Sequence, residues 1–211
     1  MNTEFALPPS PAAHRTGLPV VHTASASVED SIIATIVAAF AADPVARWMY
    51  PEPGQYLRHF PEFVRAFAGR AFDHNSAHYL TGFEGAALWL PPDVQPDEAA
   101  IASHLERTVS EAQRPALFSI FDQMAGFHPA EPHWYLPMIG VDPARQRRGC
   151  GTVLLRYALE QCDLEERAAY LESSNPENIS LYERHGFTRL GRIQAGTSPT
   201  IYPMLRAPRL S

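Results

Sequence analysis

The sequence predicts an α/β or α+β sheet domain, and three observations carry that expectation. Apolar strand-like runs alternate with segments of helical periodicity, and several such runs lie close together near the end of the chain. A length of 211 residues, 45% hydrophobic and 19% charged, is enough to bury one full core without disulfides or metals.

The elements follow in order. Residues 1–18 carry Pro8, Pro9 and Pro11 among small polar residues without periodicity, and read as a flexible leader before a domain over 19–208. A short strand near Val20 to Thr23 precedes a helix opened by Ser27, with Asp30 three residues on as in a capping box. Ile32, Ile33, Ile36, Val37 and Phe40 keep the helical period, and Asp43-Pro44 ends it. After a turn over Pro51 to Gly54, Tyr56 to Phe72 is helical and rich in aromatics. A hairpin is expected from Ala77–Thr81 and Ala86–Leu90 about Gly82-Phe83-Glu84-Gly85, closed by Pro91-Pro92. Residues 97–125 look helical with a break near Pro115. A strongly apolar strand runs from Trp134 to Val141, followed by a basic glycine turn and a helix from about Cys150 to Glu165. Val153, Leu154, Tyr157, Ala158 and Cys162 give that helix its expected buried face. A strand over Ala168–Glu172, a helix over Glu177–His185 and strands near 187–193 and 199–205 complete the pattern.

Composition excludes several classes of function. All 17 basic residues are arginine, so a Walker A loop and a Schiff-base lysine are both ruled out. A net charge of -6 argues against nucleic-acid binding, and no apolar window is long enough for a membrane span. The first residues lack a basic and then apolar signal pattern, which points to the cytoplasm. Cys150 and Cys162, placed on one helix, lie too far apart for a disulfide and are expected as free thiols. His74 and His78 have a chelating spacing but fall where a helix gives way to a strand, and no metal is assigned.

The chemistry is concentrated between Val141 and Thr152. A helix start leaves backbone N–H groups unpaired and carries partial positive charge. Gly149 and Gly151 remove the side chains that would keep a phosphate from those donors, and Arg145, Arg147 and Arg148 add charge. A pyrophosphate suits such a turn; a plain strand-to-helix turn with solvated arginines is the alternative. The dinucleotide fingerprint fails, because its third glycine would fall at Leu154.

Gln146-Arg147-Arg148-Gly149-Cys150-Gly151 resembles the pyrophosphate signature of the GNAT acetyltransferase superfamily, behind an Ile139-Gly140-Val141 strand end. A second element, Leu171 to Phe187 with Asn178, Tyr182 and Gly186-Phe187 in it, is similar to the family's fifth strand and following helix. Looser similarity over Ala38–Arg47, Ala86–Leu90, Glu131–Leu136 and Met204–Pro208 points to the puromycin N-acetyltransferase-like members.

The resemblance implies a mixed, mostly antiparallel central sheet flanked by helices. It also implies acetyl-CoA as co-substrate and direct transfer of acetyl to a primary amine in a ternary complex. Ile139, Val141, Gln146, Arg147, Arg148, Gly149, Cys150, Gly151, Thr152 and Asn178 would bind the cofactor, and Tyr182 would protonate the departing thiolate. Backbone groups of Leu136 to Val141 would face the pantetheine, one N–H stabilising the oxyanion. Cys150, at the phosphate end, is not the nucleophile. Asn175 with Pro176 is expected as a helix cap, and Gly186 as a C-cap.

Glu172, Glu84, Asp43 and His133 are the candidates for a general base, and none is assigned. Trp48, Tyr50, Tyr56 and Phe60, with Phe40, Phe63 and Phe67 nearby, are candidates to wall a pocket for a small, apolar or aromatic amine. A protein N-terminus or lysine as acceptor, or a non-catalytic acyl-CoA sensor, are the alternatives. Family members are often dimers, and the resemblance implies a homodimer.

Overall fold

The computed structural model describes residues 19–209; the leader expected over 1–18 lies outside the described residues. Its strands are β1 (Val21–Thr23), β2 (Ala77–Leu80), β3 (Gly85–Leu90), β4 (Trp134–Val141), β5 (Ala169–Ser173), β6 (Thr188–Arg189) and β7 (Tyr202–Arg206). They form one sheet of seven strands in the order β1-β2-β3-β4-β5-β7-β6. Every pairing is antiparallel except β4 with β5, which is parallel. A parallel neighbour requires a crossover, and the glycine turn with its helix is that crossover. Among the described residues, no helix is long and apolar enough to cross a membrane.

The helices are α1 (Glu29–Ala39), α2 (Pro44–Met49), α3 (Pro53–Ala68), α4 (Arg70–Asp73), α5 (Glu98–Thr108), α6 (Arg114–Phe127), α7 (Cys150–Leu164) and α8 (Ile179–Arg184). Side chains of α1, α3 and α5 bury one face of the sheet, and those of α7 and α8 bury the other. β3 lies between both layers and is buried at every position, as its continuous apolar run requires.

Several local expectations are corrected. Ser27 does not cap α1: it lies inside a 3-10 turn, Ala26–Val28, its hydroxyl paired with that of Ser25. Asp43-Pro44 ends one helix and starts the next, since the Asp43 carboxylate accepts from the N–H groups of Val45 and Ala46 and Pro44 fills the first helical position. The buried face of α7 is Cys150, Leu154, Leu155, Ala158, Leu159 and Cys162, whereas Tyr157 is 43% exposed. The strand expected over 187–193 shrinks to Thr188–Arg189 and an isolated bridge between Ile193 and Ile201.

β4 carries the departure that matters for function. Leu88 pairs with Met138 but Leu90 pairs with Tyr135, so two steps on β3 match three on β4, with Leu136 and Pro137 in the bulge. Pro137 has no N–H to offer the ladder. The bulge brings Tyr135 and Met138 to the same face, toward α3, where strict alternation would separate them. On its other edge β4 pairs with β5 only at Trp134–Ala169 and Tyr135–Tyr170. β5 pairs onward with β7 through Ser173, so β4 and β5 part company from the bulge on.

Candidate active site

The glycine turn begins where β4 ends. The Asp142 carboxylate accepts from the Ala144 N–H, and the Gln146 amide reaches back to the Val141 carbonyl at 3.4 Å. Arg147 takes a positive φ of 62° and Gly149 one of 85° at the N-cap of α7. Two left-handed residues lie within one turn at the start of α7, whose first N–H groups have no partner inside the helix. A Cβ built on Gly149 would meet nothing within 4 Å, so open space lies in front of the helix start. Arg145 is held by Glu84 at 3.3 Å, while Arg147 and Arg148 stand exposed beside that space. Cys150 is buried, and its thiol is pushed up by desolvation first and by the Glu84 charge second. A thiol in that state is a poor nucleophile.

A cavity opens where β4 and β5 separate. The volume that a water-sized molecule can occupy in it is about 80 Å³. Pro137 and Met138 of β4 stand on one side, and Glu172 and Ser174 on the other. Phe40, Phe60, Phe63, Phe67 and Phe121 supply aromatic walls, with Leu117, Ile120 and Met124 of α6 closing over them. Asp43, Glu172 and Ser174 are the polar residues in an otherwise apolar lining. Burial raises the Asp43 carboxyl above its ordinary value, against hydrogen bonds from Ser174 Oγ (2.5 Å), Ala46 and Val45 that lower it.

Tyr182 lies on α8 and is 5% exposed. It is packed with the α7 layer rather than on the cavity wall, and its phenol is pushed up by desolvation and then by the Asp43 charge. That phenol therefore stays protonated at neutral pH, which an acid requires. The C-terminus of α8 fixes it. Gly186, with φ 93°, donates to the Glu183 carbonyl, and Phe187 donates to the Tyr182 carbonyl, the pair of bonds that defines a Schellman motif. At the other end, Asn175 caps a 3-10 turn, Pro176–Asn178, by accepting from Glu177 N–H at 3.0 Å. Asn178 is exposed, one turn before Tyr182.

The structure thus gathers Gln146, Arg147, Arg148, Gly149, Cys150, Gly151 and Thr152 at one helix start, with Ile139 and Val141 on the adjoining stretch of β4, paired to β3 but not to β5. Of the aromatic candidates for the pocket, only the phenylalanines line it. Tyr50 is core, its hydroxyl bonded to His104 and Thr108, and Tyr56 donates to the Val37 carbonyl at 2.6 Å. Trp48 donates to Thr197 at its indole. Leu117, Ile120, Phe121 and Met124 went unnoticed because their spacing on α6 is that of any core-facing stripe. His74 is exposed at the end of α4 and His78 lies in β2; among the described residues no cluster could hold a metal.

A mostly antiparallel sheet, opened between β4 and β5 beside a glycine turn, is the fold of the GNAT acetyltransferases. Residues 110–187, from before α6 to Phe187, match the family model described as the Acetyltransferase (GNAT) family. A solved Corynebacterium glutamicum structure, described as histone acetyltransferase HPA2 and related acetyltransferase, is similar at 26% identity and a TM-score of 0.65, covering 92% of this chain and 99% of that one. The fold is shared with arylalkylamine N-acetyltransferase 2 from Aedes aegypti (12% identity, TM-score 0.62, 90% and 99% covered). It is also shared with the Drosophila melanogaster polyamine N-acetyltransferase (14% identity, TM-score 0.59, 89% and 99% covered).

Proposed function

We propose that this chain is a single-domain, acetyl-CoA-dependent N-acetyltransferase acting on a small primary amine with an apolar or aromatic body. The observation that carries the reading is the cavity at the parting of β4 and β5, phenylalanine-lined and bearing two carboxyl groups, on the same sheet edge that leads into the glycine turn. A pantetheine arm laid along the unpaired edge of β4 would bring a thioester toward that cavity. The turn at Arg147–Gly151 would hold the pyrophosphate, with Asn178 toward the arm.

The chemistry then needs little else. The amine attacks the thioester carbonyl, a β4 N–H stabilises the oxyanion, and Tyr182 gives its proton to the thiolate as the tetrahedral intermediate collapses. Direct transfer suits a fold whose cysteines, Cys150 and Cys162, are both buried, their thiols pushed up by desolvation. Within small amines, the looser similarity to puromycin N-acetyltransferase-like members favours an aminonucleoside or antibiotic-like compound.

Acetylation of a protein amine is the second reading, favoured by the described histone acetyltransferase relative. A chamber roofed by α6 fits a compact amine better than an extended peptide. The test is thiol release from acetyl-CoA across puromycin, arylalkylamines, polyamines and peptides. Release with an aromatic amine supports the reading, and no release with any small amine overturns it.

A further inference from the structure

A second cleft lies along α7 and the end of α8, lined by no residue of the phenylalanine chamber. About 480 Å³ of it is open to a water-sized molecule, within the roughly 300–1,000 Å³ of small-molecule sites. Leu159 is the single apolar residue of its lining. On α7 it runs from Thr152, in the first turn, to Asp163, a span of about 16 Å at 1.5 Å per residue.

Arginine as a residue type says little in a chain without lysine, but its gathering here does, because the net charge is -6. Four of the 17 basic residues, Arg156, Arg184, Arg206 and Arg209, line this one cleft. Arg206 is spent: its Nη atoms donate to Asp163 at 2.8 and 2.7 Å and its Nε to the His185 carbonyl. Asp163 is spent as well, since it also accepts from the Arg209 backbone N–H at 2.7 Å. The other three guanidiniums form no ion pair among the described residues. Arg184 reaches only the Ser180 hydroxyl, at 3.4 Å, and Arg209 Nη2 lies over Gly186, 3.8 Å from where a Cβ would stand.

Three guanidiniums against the one remaining carboxylate, Glu160, leave a surplus of two positive charges in the cleft. Like charges confined to one cleft repel, and a bound anion offsets that repulsion. A phosphate monoester brings about -1.5 to -2 charges at neutral pH, with three acceptor oxygens that match the planar forks of arginine. A carboxylate or a phosphodiester brings a single charge and would leave half the surplus in place.

We propose that this cleft is a phosphate-monoester site, in which Arg156, Arg184 and Arg209 hold the phosphate and Thr152 adds a hydroxyl. Two sources share that chemistry. One is the 3′-phosphate of CoA: Thr152 belongs both to the cleft and to the helix start proposed to hold the pyrophosphate, so this source rests on the acetyl-CoA reading above. The other is a free phosphorylated metabolite, which needs no part of that reading. The side chains of α7 and α8 cover the sheet face opposite α3, so the phosphate stays clear of the acceptor chamber from either source.

The test compares the full chain with a double variant, Arg156→Gln with Arg184→Gln, both exposed positions that the fold tolerates. Calorimetry measures CoA and dephospho-CoA, and nitrogen-15 spectra of the arginine Nε groups follow a titration with inorganic phosphate, with chloride at matched ionic strength as the control. If CoA is the source, it should bind on the order of tenfold tighter than dephospho-CoA. The double variant should erase that preference and leave dephospho-CoA affinity unchanged. If the source is a free metabolite, the two forms of CoA should bind alike, while phosphate, and not chloride, shifts the Arg156 and Arg184 signals. The absence of both signatures overturns the site, as does a CoA preference that survives in the double variant without any shift by phosphate. A chain that binds neither form of CoA counts against the acetyl-CoA reading, and the phosphate titration still decides the cleft.

Discussion

Phe187 grips Tyr182 twice: its N–H donates to the Tyr182 carbonyl at 3.1 Å, and its ring meets the Tyr182 ring edge-on with centroids 6.1 Å apart. Helix α8 has six residues, too few to be stable alone. Its end is held by the Schellman bonds, by this hydrophobic contact, and by Arg206, whose Nε donates to the otherwise unpaired His185 carbonyl. The candidate acid therefore depends on residues that never approach substrate.

Gly186→Ala tests that dependence. The added Cβ would find only ordinary contact, 3.7 Å from Arg206, so the cost is the left-handed backbone, about 1–2 kcal/mol. Thermal unfolding should shift by that amount. Thiol release should fall while CoA affinity, measured by calorimetry, holds. Unchanged turnover would mean that the cap does not position Tyr182.

Tyr182→Phe keeps the ring against Phe187 and removes the proton. Turnover should drop on the order of 10²-fold or more, with CoA binding little changed. Because the folded phenol is pushed up, wild-type activity should show no loss from its ionisation through the ordinary tyrosine range near about pH 10. Wild-type rates in the variant would remove Tyr182 from the mechanism.

The turn and the tyrosine helix were both legible in the sequence as elements, because each is set by residues within a turn or two of one another. Gly149 must take a left-handed conformation, Asn175-Pro176 starts a turn, and Gly186-Phe187 ends one. The cavity was not legible. Its walls come from α1, α2, α3, α6, β4 and β5, which only the closed fold assembles. Asp43 was named only as a base candidate and a helix stop; folded, it is the α2 cap and the hydrogen-bond partner of Ser174, 131 residues away. One signal could have been heeded. Pro137 inside an otherwise ideal strand marks a bulge, and the bulge is where the sheet opens.

The glycine turn gives a cleaner probe than substitution of Gly149, where any side chain would be strained at φ 85°. Arg147 also sits at positive φ, 62°, so Arg147→Gly relieves strain while removing a guanidinium. Stability should hold within about 1 kcal/mol while CoA affinity weakens severalfold, more at low salt than at high. CoA affinity equal to wild type at low salt would exclude Arg147 from the phosphate site.

Arg206 and Asp163 form a bidentate pair, at 2.8 and 2.7 Å, with Arg206 3% exposed. The Arg206 hydrogen bonds hold the Asp163 carboxyl below its usual range. A carboxyl depressed in the folded state contributes stability above its unfolded pKa of about 3.9, and that contribution is lost as pH falls through the folded value. Asp163→Asn should therefore destabilise at neutral pH and flatten the acid limb of the stability curve. Arg206→Ala, which leaves the Asp163 carboxylate only the Arg209 N–H and frees the His185 carbonyl, should cost about 1–3 kcal/mol by denaturant titration. An acid limb unaltered in Asp163→Asn would show that other carboxylates set it.

On the proposed reading, the chamber selects the acceptor. Phe40, Phe60, Phe63, Phe67 and Phe121 offer ring faces and edges, while Asp43 and Glu172 are the charged groups on its wall. An arylalkylamine or aminonucleoside would bury its flat body against the rings and leave the ammonium to Glu172, since Asp43 already accepts three hydrogen bonds. A polyamine would have to leave a second cation in an apolar chamber, at a cost of several kcal/mol unless neutralised. Aromatic monoamines should thus show kcat/KM at least about tenfold above linear diamines, a difference of about 1.4 kcal/mol. Phe63→Ala should erase much of that preference by raising KM for the aromatic amine while leaving the KM for acetyl-CoA alone. The converse outcome is equally readable: diamines or peptides acetylated well while aromatic amines are ignored would place the acceptor outside the phenylalanine chamber.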